Sequence, residues 1–191
     1  QQIYVKPLYM KPYYKLQIAA CAAILLFFGI GTSVYAMPYT KVSLDVNPSI
    51  EYSLNIFDRV LSVKAMNEDA AEILDGVEKE LKGSKISDAV EMTLQELEEK
   101  QYISQETENL VVFSVRGNDR RAEVISDELS DDVKEWNEQT GTVIKAESIV
   151  ASRELAAEAE EMEITPGKLY LINQLKETVS DTEDFHVRMG Q

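Results

Sequence analysis

The chain has 191 residues, of which 34 are acidic and 19 are basic, and its net charge at pH 7 is −15. A chain this acidic is not expected to bind nucleic acid through its phosphates. It holds one cysteine and one histidine, so it cannot form an internal disulfide and lacks the nitrogen and sulfur ligands of a zinc site. No metal or cofactor is predicted.

The first predicted element is a membrane span. Leu16 to Tyr35 is a run of twenty residues without a charged side chain. An apolar helix of about that length crosses a bilayer core of roughly 30 Å, so we predict a single transmembrane helix at residues 16–36. A cleaved signal peptide is the alternative, but its apolar core usually has only about 7–15 residues.

The residues before the span predict its orientation. Lys6, Lys11 and Lys15 precede it, and residues 1–41 contain no acid. Positively charged flanks remain in the cytoplasm, so residues 1–15 are predicted to be a cytoplasmic juxtamembrane segment. The rest of the chain, with a net charge of −19 from residue 42 onward, is then extracellular.

Apolar and polar residues alternate in three short segments after the span, which predicts three strands in series. Helical spacing follows, with Asn67 and Ser87 as predicted N-caps of two helices. A long helix predicted to begin at Asp119 turns five apolar residues inward: Val124, Ile125, Leu129, Val133 and Trp136. The predicted strands are 42–46, 50–54, 60–66, 110–115 and 142–146. The predicted helices are 67–82, one that begins at Ser87 and includes Leu97, 119–139, 151–162, and one that follows Pro166-Gly167 and runs through Leu175.

These elements predict an α+β fold in the order β-β-β-α-α-β-α-β-α-α. One mixed or antiparallel sheet of about five strands is packed with helices and preceded by the single transmembrane helix. The extracellular domain is expected at residues 37–178, and residues 179–191 are expected to be a flexible tail.

The Asn47-Pro48 dipeptide between the first two strands is an ordinary turn sequence, and by itself it favours a plain turn. It also permits self-cleavage. Because proline has no N–H, its nitrogen cannot attack the asparagine side chain. The side-chain nitrogen of Asn47 can instead attack its own carbonyl carbon, form a succinimide and expel the nitrogen of Pro48. A strained turn, hydrogen-bond donors and a nearby base would assist.

Three residues beside this bond are candidates for that assistance. They are Asp45, Ser49 and Glu51. Asp45 and Glu51 are the nearest carboxylates in sequence, but strand alternation predicts that both face solvent.

The stretch VSLDVNPSIEYSLNIFDRVLSVKAMNEDA at 42–70 resembles the extracellular domain of RsgI-type transmembrane anti-sigma factors, and ITPGKLYLINQLKE at 164–177 fits the final helix of that domain. The similarity covers residues 42–178. It implies that the chain regulates a sigma factor of the sigma-I type in Gram-positive bacteria. It also implies that Asn47-Pro48 is cut autocatalytically after folding and that strand pairing holds the pieces together.

The resemblance implies a place in the cell and a set of partners. The chain would be a single-pass protein of the cell membrane, in contact with lipid. A cytoplasmic domain upstream of residue 1 would bind the sigma factor, and a module downstream of residue 191 would bind cell-wall or extracellular polysaccharide. Loss of the outer piece would expose the stub to an intramembrane protease.

Two other functions are compatible with the residues alone. One is a membrane-tethered structural or binding module at the wall, in which Asn47-Pro48 is only a turn. The other is a hydrolase with paired carboxylates, which is disfavoured because no nucleophile and base form a recognisable set. We therefore predict a regulator that cleaves itself once and is not a turnover enzyme.

Overall fold

The computed structural model describes residues 12–189, with the side chains of residues 12, 15, 26–33 and 180–189 left out of the description. The chain divides into two units between residues 37 and 38.

The first unit contains the helix α1, Pro12–Tyr35, of 24 residues, where the transmembrane helix was predicted. Within the described part of the chain, no helix is both long and apolar enough to cross a membrane. For residues 26–33 of the predicted span, the structure describes the backbone only. Most of the predicted cytoplasmic segment, residues 1–11, lies outside the described residues. The membrane span and its orientation stay predictions.

The second unit is built on a sheet of five strands in the order β3-β2-β1-β4-β5. All neighbouring strands are antiparallel except β4 and β5, which are parallel. The predicted α+β fold with one mixed sheet of five strands is therefore confirmed. The strands are β1 Thr40–Asp45, β2 Ser49–Leu54, β3 Val60–Ala65, β4 Asn109–Arg116 and β5 Ile144–Val150.

Five helices join these strands in the predicted order. They are α2 Glu68–Leu81, α3 Ile86–Glu99, α4 Asp119–Thr140, α5 Arg153–Glu161 and α6 Pro166–Met189. Asn67 caps α2 through its side chain, as predicted. Gly141 ends α4 in the left-handed conformation, with φ of 76°, which glycine adopts without steric cost.

The main core lies on one face of the sheet, against α2, α3 and α4. Val42 and Leu44 of β1 are fully buried there, beside Ile50 and Tyr52 of β2 and Phe113 of β4. Successive strand residues point to opposite faces, so Ser43 and Asp45 lie on the other face. Helix α6 packs against that face of β1 and β4.

Two sequence predictions about the helices need correction. Ser87 does not cap α3: the N-cap is Lys85, without a side-chain bond. The helical hydrogen bonds already begin at Lys85, whose carbonyl accepts from the Ala89 amide at 2.9 Å, so Ser87 lies inside the helix. Val124 is 39% exposed, because the buried stripe of α4 follows Ile125, Leu129 and Val133 at intervals of four residues.

The backbone of helix α6 continues to Met189, so it runs through most of the segment 179–191. The flexibility predicted for that segment stays a prediction. Leu175 and Val179, near the middle of α6, are 66% and 57% exposed.

Candidate functional site

The Asn47-Pro48 bond lies in a tight turn between β1 and β2. Asp45 and Ser49 form the last pair of the ladder between these strands, and only three residues connect them. The Val46 amide donates to the carbonyl of Pro48 at 3.0 Å. The reciprocal bond cannot form because Pro48 has no N–H. Asn47 is therefore the exposed tip of the turn, while Pro48 is buried.

The backbone of Asn47 is strained. Its φ is 93°, whereas a residue before proline prefers φ near −120°. Three other described residues besides glycine have positive φ, between 56° and 66°, close to the ordinary left-handed value, and none of them precedes proline. A conformation of this kind costs of order 1–3 kcal/mol. The turn thus carries the strain that the cleavage hypothesis needs.

Asn67 holds the side chain of Asn47. Its Nδ2 donates to Oδ1 of Asn47 at 3.1 Å. Its own Oδ1 accepts from the amides of Ser49 and Ala70, both at 3.1 Å. The Met66 amide also donates to the carbonyl of Ser49 at 2.9 Å. The start of α2 is thereby tied to both sides of the Asn47-Pro48 bond.

Sequence reasoning recognised Asn67 only as a helix cap. It lies twenty residues after Asn47, and the β2–β3 hairpin brings the two together, with Ile50 paired to Ala65. The helix cap was the only local signal, and it did not indicate the second contact.

Asp45 is buried, contrary to the prediction that it faces solvent. It is 5% exposed because β1 is a central strand and α6 covers its second face. The Ser43 hydroxyl donates to Oδ2 at 2.9 Å and the Thr165 hydroxyl to Oδ1 at 2.6 Å. Burial raises the pKa of the Asp45 carboxyl, opposed by hydrogen bonds from Thr165, Ser49 and Ser43 and by the charge of Lys168.

Ser49 links this carboxyl to the turn at Asn47-Pro48. It follows Pro48 directly, is 4% exposed, and its side chain is hydrogen-bonded to Asp45. Its backbone amide donates to Oδ1 of Asn67. Of the three candidate assisting residues, Asp45 and Ser49 are therefore joined beside the bond.

Glu51 is engaged elsewhere. Its Oε1 lies 2.7 Å from Nζ of Lys41. Glu51 pairs with Ser43 across the β1–β2 ladder, so it is the next residue after Ser49 on the same face of β2 and lies further from the turn. Within the described residues, no group of three or more His, Cys, Asp or Glu is placed to hold a metal ion.

Comparison with known proteins places these features in a family context. Residues 39–174 match the family described as the anti-sigma factor RsgI-like central domain. Anti-sigma-I factor RsgI7 of Acetivibrio thermocellus is 33% identical over 165 residues, and RsgI9 of the same organism is 34% identical over 172 residues. Each match covers 84% of this chain but 30% and 24% of the relative, respectively, so the chain spans less than a third of their length.

Proposed function

Because the chain belongs to the RsgI-like family of anti-sigma factors, we propose that it is the self-cleaving, signal-relaying part of a membrane-anchored regulator of a sigma-I-type sigma factor. Membership of this family confirms the resemblance found in the sequence. The matched relatives are described as anti-sigma-I factors, which supports a regulator and not a turnover enzyme. The observation that carries the proposed cleavage is the strained φ of Asn47 immediately before Pro48.

The proposed step is an intramolecular displacement. Nδ2 of Asn47 attacks the carbonyl carbon of Asn47, the bond from that carbon to the Pro48 nitrogen breaks, and the proton lost by Nδ2 is transferred to that nitrogen. The first piece ends in a succinimide, which water later opens, and the second begins with the free amine of Pro48. Release of about 1–3 kcal/mol of strain in the transition state would accelerate the step about 5- to 150-fold.

Asp45 and Ser49 are the proposed assisting groups. The buried carboxyl has a raised pKa, so it exchanges a proton closer to neutral pH than an exposed aspartate does. Its hydrogen bond to Ser49 places that exchange next to the leaving nitrogen. Glu51 is the weaker candidate because its charge is paired with Lys41.

The sheet gives a physical reason for the pieces to stay together after the cut. β1 would belong to the first piece, yet it pairs six of its residues with β2 and five with β4. Its Val42 and Leu44 are fully buried in the core of the second piece. Hydrogen bonding and burial both oppose separation.

The rest of the proposed relay follows the family resemblance and the twenty uncharged residues from Leu16 to Tyr35. α1 anchors the chain in the membrane with the second unit outside. Loss of the outer piece exposes the anchored stub to an intramembrane protease. Its cut releases the sigma factor held on the cytoplasmic side.

The intact mass of the purified chain under denaturing conditions tests the cleavage. Residues 1–47 and 48–191 should appear as two masses, and their sum should equal the intact chain or exceed it by one water. Asn47→Ala should give a single mass. Asn118→Ala is the matched control, because Asn118 is also exposed in a loop, and it should cleave like the parent. A single, stable mass for the parent chain would overturn self-cleavage and favour a tethered binding module.

A further inference from the structure

Asn67 has the geometry to orient the attacking group. We propose that Asn67 is a positioning residue for self-cleavage, which holds the carboxamide of Asn47 so that its nitrogen is free to attack. The inference rests on the proposed function and assigns it a residue outside the scissile turn. It depends on three hydrogen bonds of one side chain.

The orientation of the two amides follows from the donors around them. Two backbone N–H groups, of Ser49 and Ala70, point at one side-chain atom of Asn67. A backbone N–H can only donate, so that atom is the oxygen and the other is Nδ2. Nδ2 in turn can only donate, so the atom of Asn47 that faces it at 3.1 Å is Oδ1. The nucleophilic Nδ2 of Asn47 is thereby directed away from Asn67.

The same hydrogen bond changes the reactivity of the amide. An amide nitrogen is a poor nucleophile until it loses a proton, and the negative charge that then develops lies largely on the oxygen. A donor fixed on that oxygen stabilises the charge and favours the loss of the proton. This is the role of a hydrogen bond placed where charge develops in a transition state.

Asn67 also couples the reaction to folding. Its Oδ1 can accept from Ser49 and Ala70 together only when β2, β3 and the first turn of α2 are in place. The hydrogen bond to Asn47 is therefore complete only in the folded hairpin and helix start. An unfolded chain lacks both the positive φ and the fixed amide.

Two substitutions separate the positioning role from the capping role. Asn67→Asp and Asn67→Ser both keep a good N-cap oxygen for α2, but neither keeps the amide donor. Full-length chain is made by cell-free synthesis, samples are quenched in denaturant at intervals, and the cut fraction is measured. We expect both variants to cleave about 10- to 100-fold more slowly than the parent, as expected for the loss of one hydrogen bond to a developing charge. Asn118→Asp and Asn118→Ser, at the N-cap of α4 where no side-chain bond exists, should cleave at the parent rate.

The pH profile supplies a readout that a structural role would not move. In Asn67→Asp, protonation of the introduced carboxyl creates an O–H donor toward Asn47. The rate of this variant relative to the parent should rise as pH falls toward about 3.9, while the relative rate of Asn67→Ser stays flat. Stability is compared in the uncleavable Asn47→Ala background, where Asn67→Asp should leave the thermal midpoint unchanged or raised.

The outcomes distinguish the two proposals. If the parent cleaves and either Asn67 variant cleaves at the parent rate, Asn67 is only a helix cap and the inference is overturned while the proposed function stands. A slow Asn67→Asp variant whose relative rate does not recover at low pH would also overturn it. If the parent itself is never cut, the proposed function fails and the inference fails with it.

Discussion

The strain at Asn47 can be measured without relying on cleavage. Asn47→Gly and Asn47→Ala both remove the attacking amide and the hydrogen bond to Asn67, so both stay one chain. They differ at φ of 93°, where a side chain with a Cβ costs about 1–2 kcal/mol and glycine costs nothing. The greater flexibility of glycine in the unfolded chain returns about 0.5–1 kcal/mol of this. Asn47→Gly should therefore be the more stable by about 1 kcal/mol.

Thermal unfolding of the two full-length variants, in the same detergent and buffer, tests this difference. For a folded unit of this size, 1 kcal/mol corresponds to about 2–5 °C in the midpoint. Glu91 provides the control pair, because it is exposed inside α3, where the backbone is helical and glycine costs about 0.5–1 kcal/mol relative to alanine. At that position the order should reverse, with Glu91→Ala the more stable.

The sign of the stability difference between the glycine and alanine variants at each site decides the outcome. If Asn47→Gly unfolds at the same temperature as Asn47→Ala, or below it, the turn is not strained. The acceleration assigned to strain would then have to be withdrawn. A glycine advantage of similar size at both sites would indicate a general effect of the substitution and not a property of the scissile turn.

Three further predictions concern the surroundings of the turn. Burial raises the pKa of Asp45 in the folded protein above its value in the unfolded chain. The protonated carboxyl therefore stabilises the fold below the unfolded pKa, and this stability is lost as pH rises through the folded pKa. Denaturant unfolding tests this in two chains that both carry Asn47→Ala, one with Asp45 and one with Asp45→Asn. The free energy of unfolding of the Asp45→Asn chain should rise relative to that of the other from pH 3 to 8, and a constant difference would contradict this. Leu44→Ala should cost about 2–5 kcal/mol, so the cut pieces should separate at lower urea on size exclusion, and unchanged separation would refute the retention argument. Gly167→Ala would place a Cβ 2.5 Å from Oδ2 of Asp45 and should lose about 1–3 kcal/mol in denaturant unfolding. Gly76→Ala, which meets only the end of a flexible side chain at 3.2 Å, should lose none.

The sequence carried enough information to predict the elements and the turn at Asn47-Pro48, but not the partners of the turn. Alternation placed Val42 and Leu44 on one face correctly. It misplaced Asp45, because alternation shows that a side chain leaves the core face but not that a second layer covers it. That layer is α6, and Thr165, which directly precedes α6 and lies 120 residues away in sequence, donates to Asp45. The contact between Asn47 and Asn67 likewise depends on the register of β2 and β3.

The position of β1 determines what a cut between Asn47 and Pro48 would achieve. The cut leaves no free edge strand, because β1 lies between β2 and β4. Its eleven ladder pairs, at about one hydrogen bond per pair and about 0.5–1.5 kcal/mol each, contribute about 5–15 kcal/mol. This equals the whole stability of a typical domain. Removing β1 would also split the sheet and empty the space of Val42 and Leu44. Separation would therefore unfold the outer piece. Once the pieces are apart, refolding around β1 is bimolecular and loses the high effective concentration of an attached strand, so the proposed release would act once and in one direction.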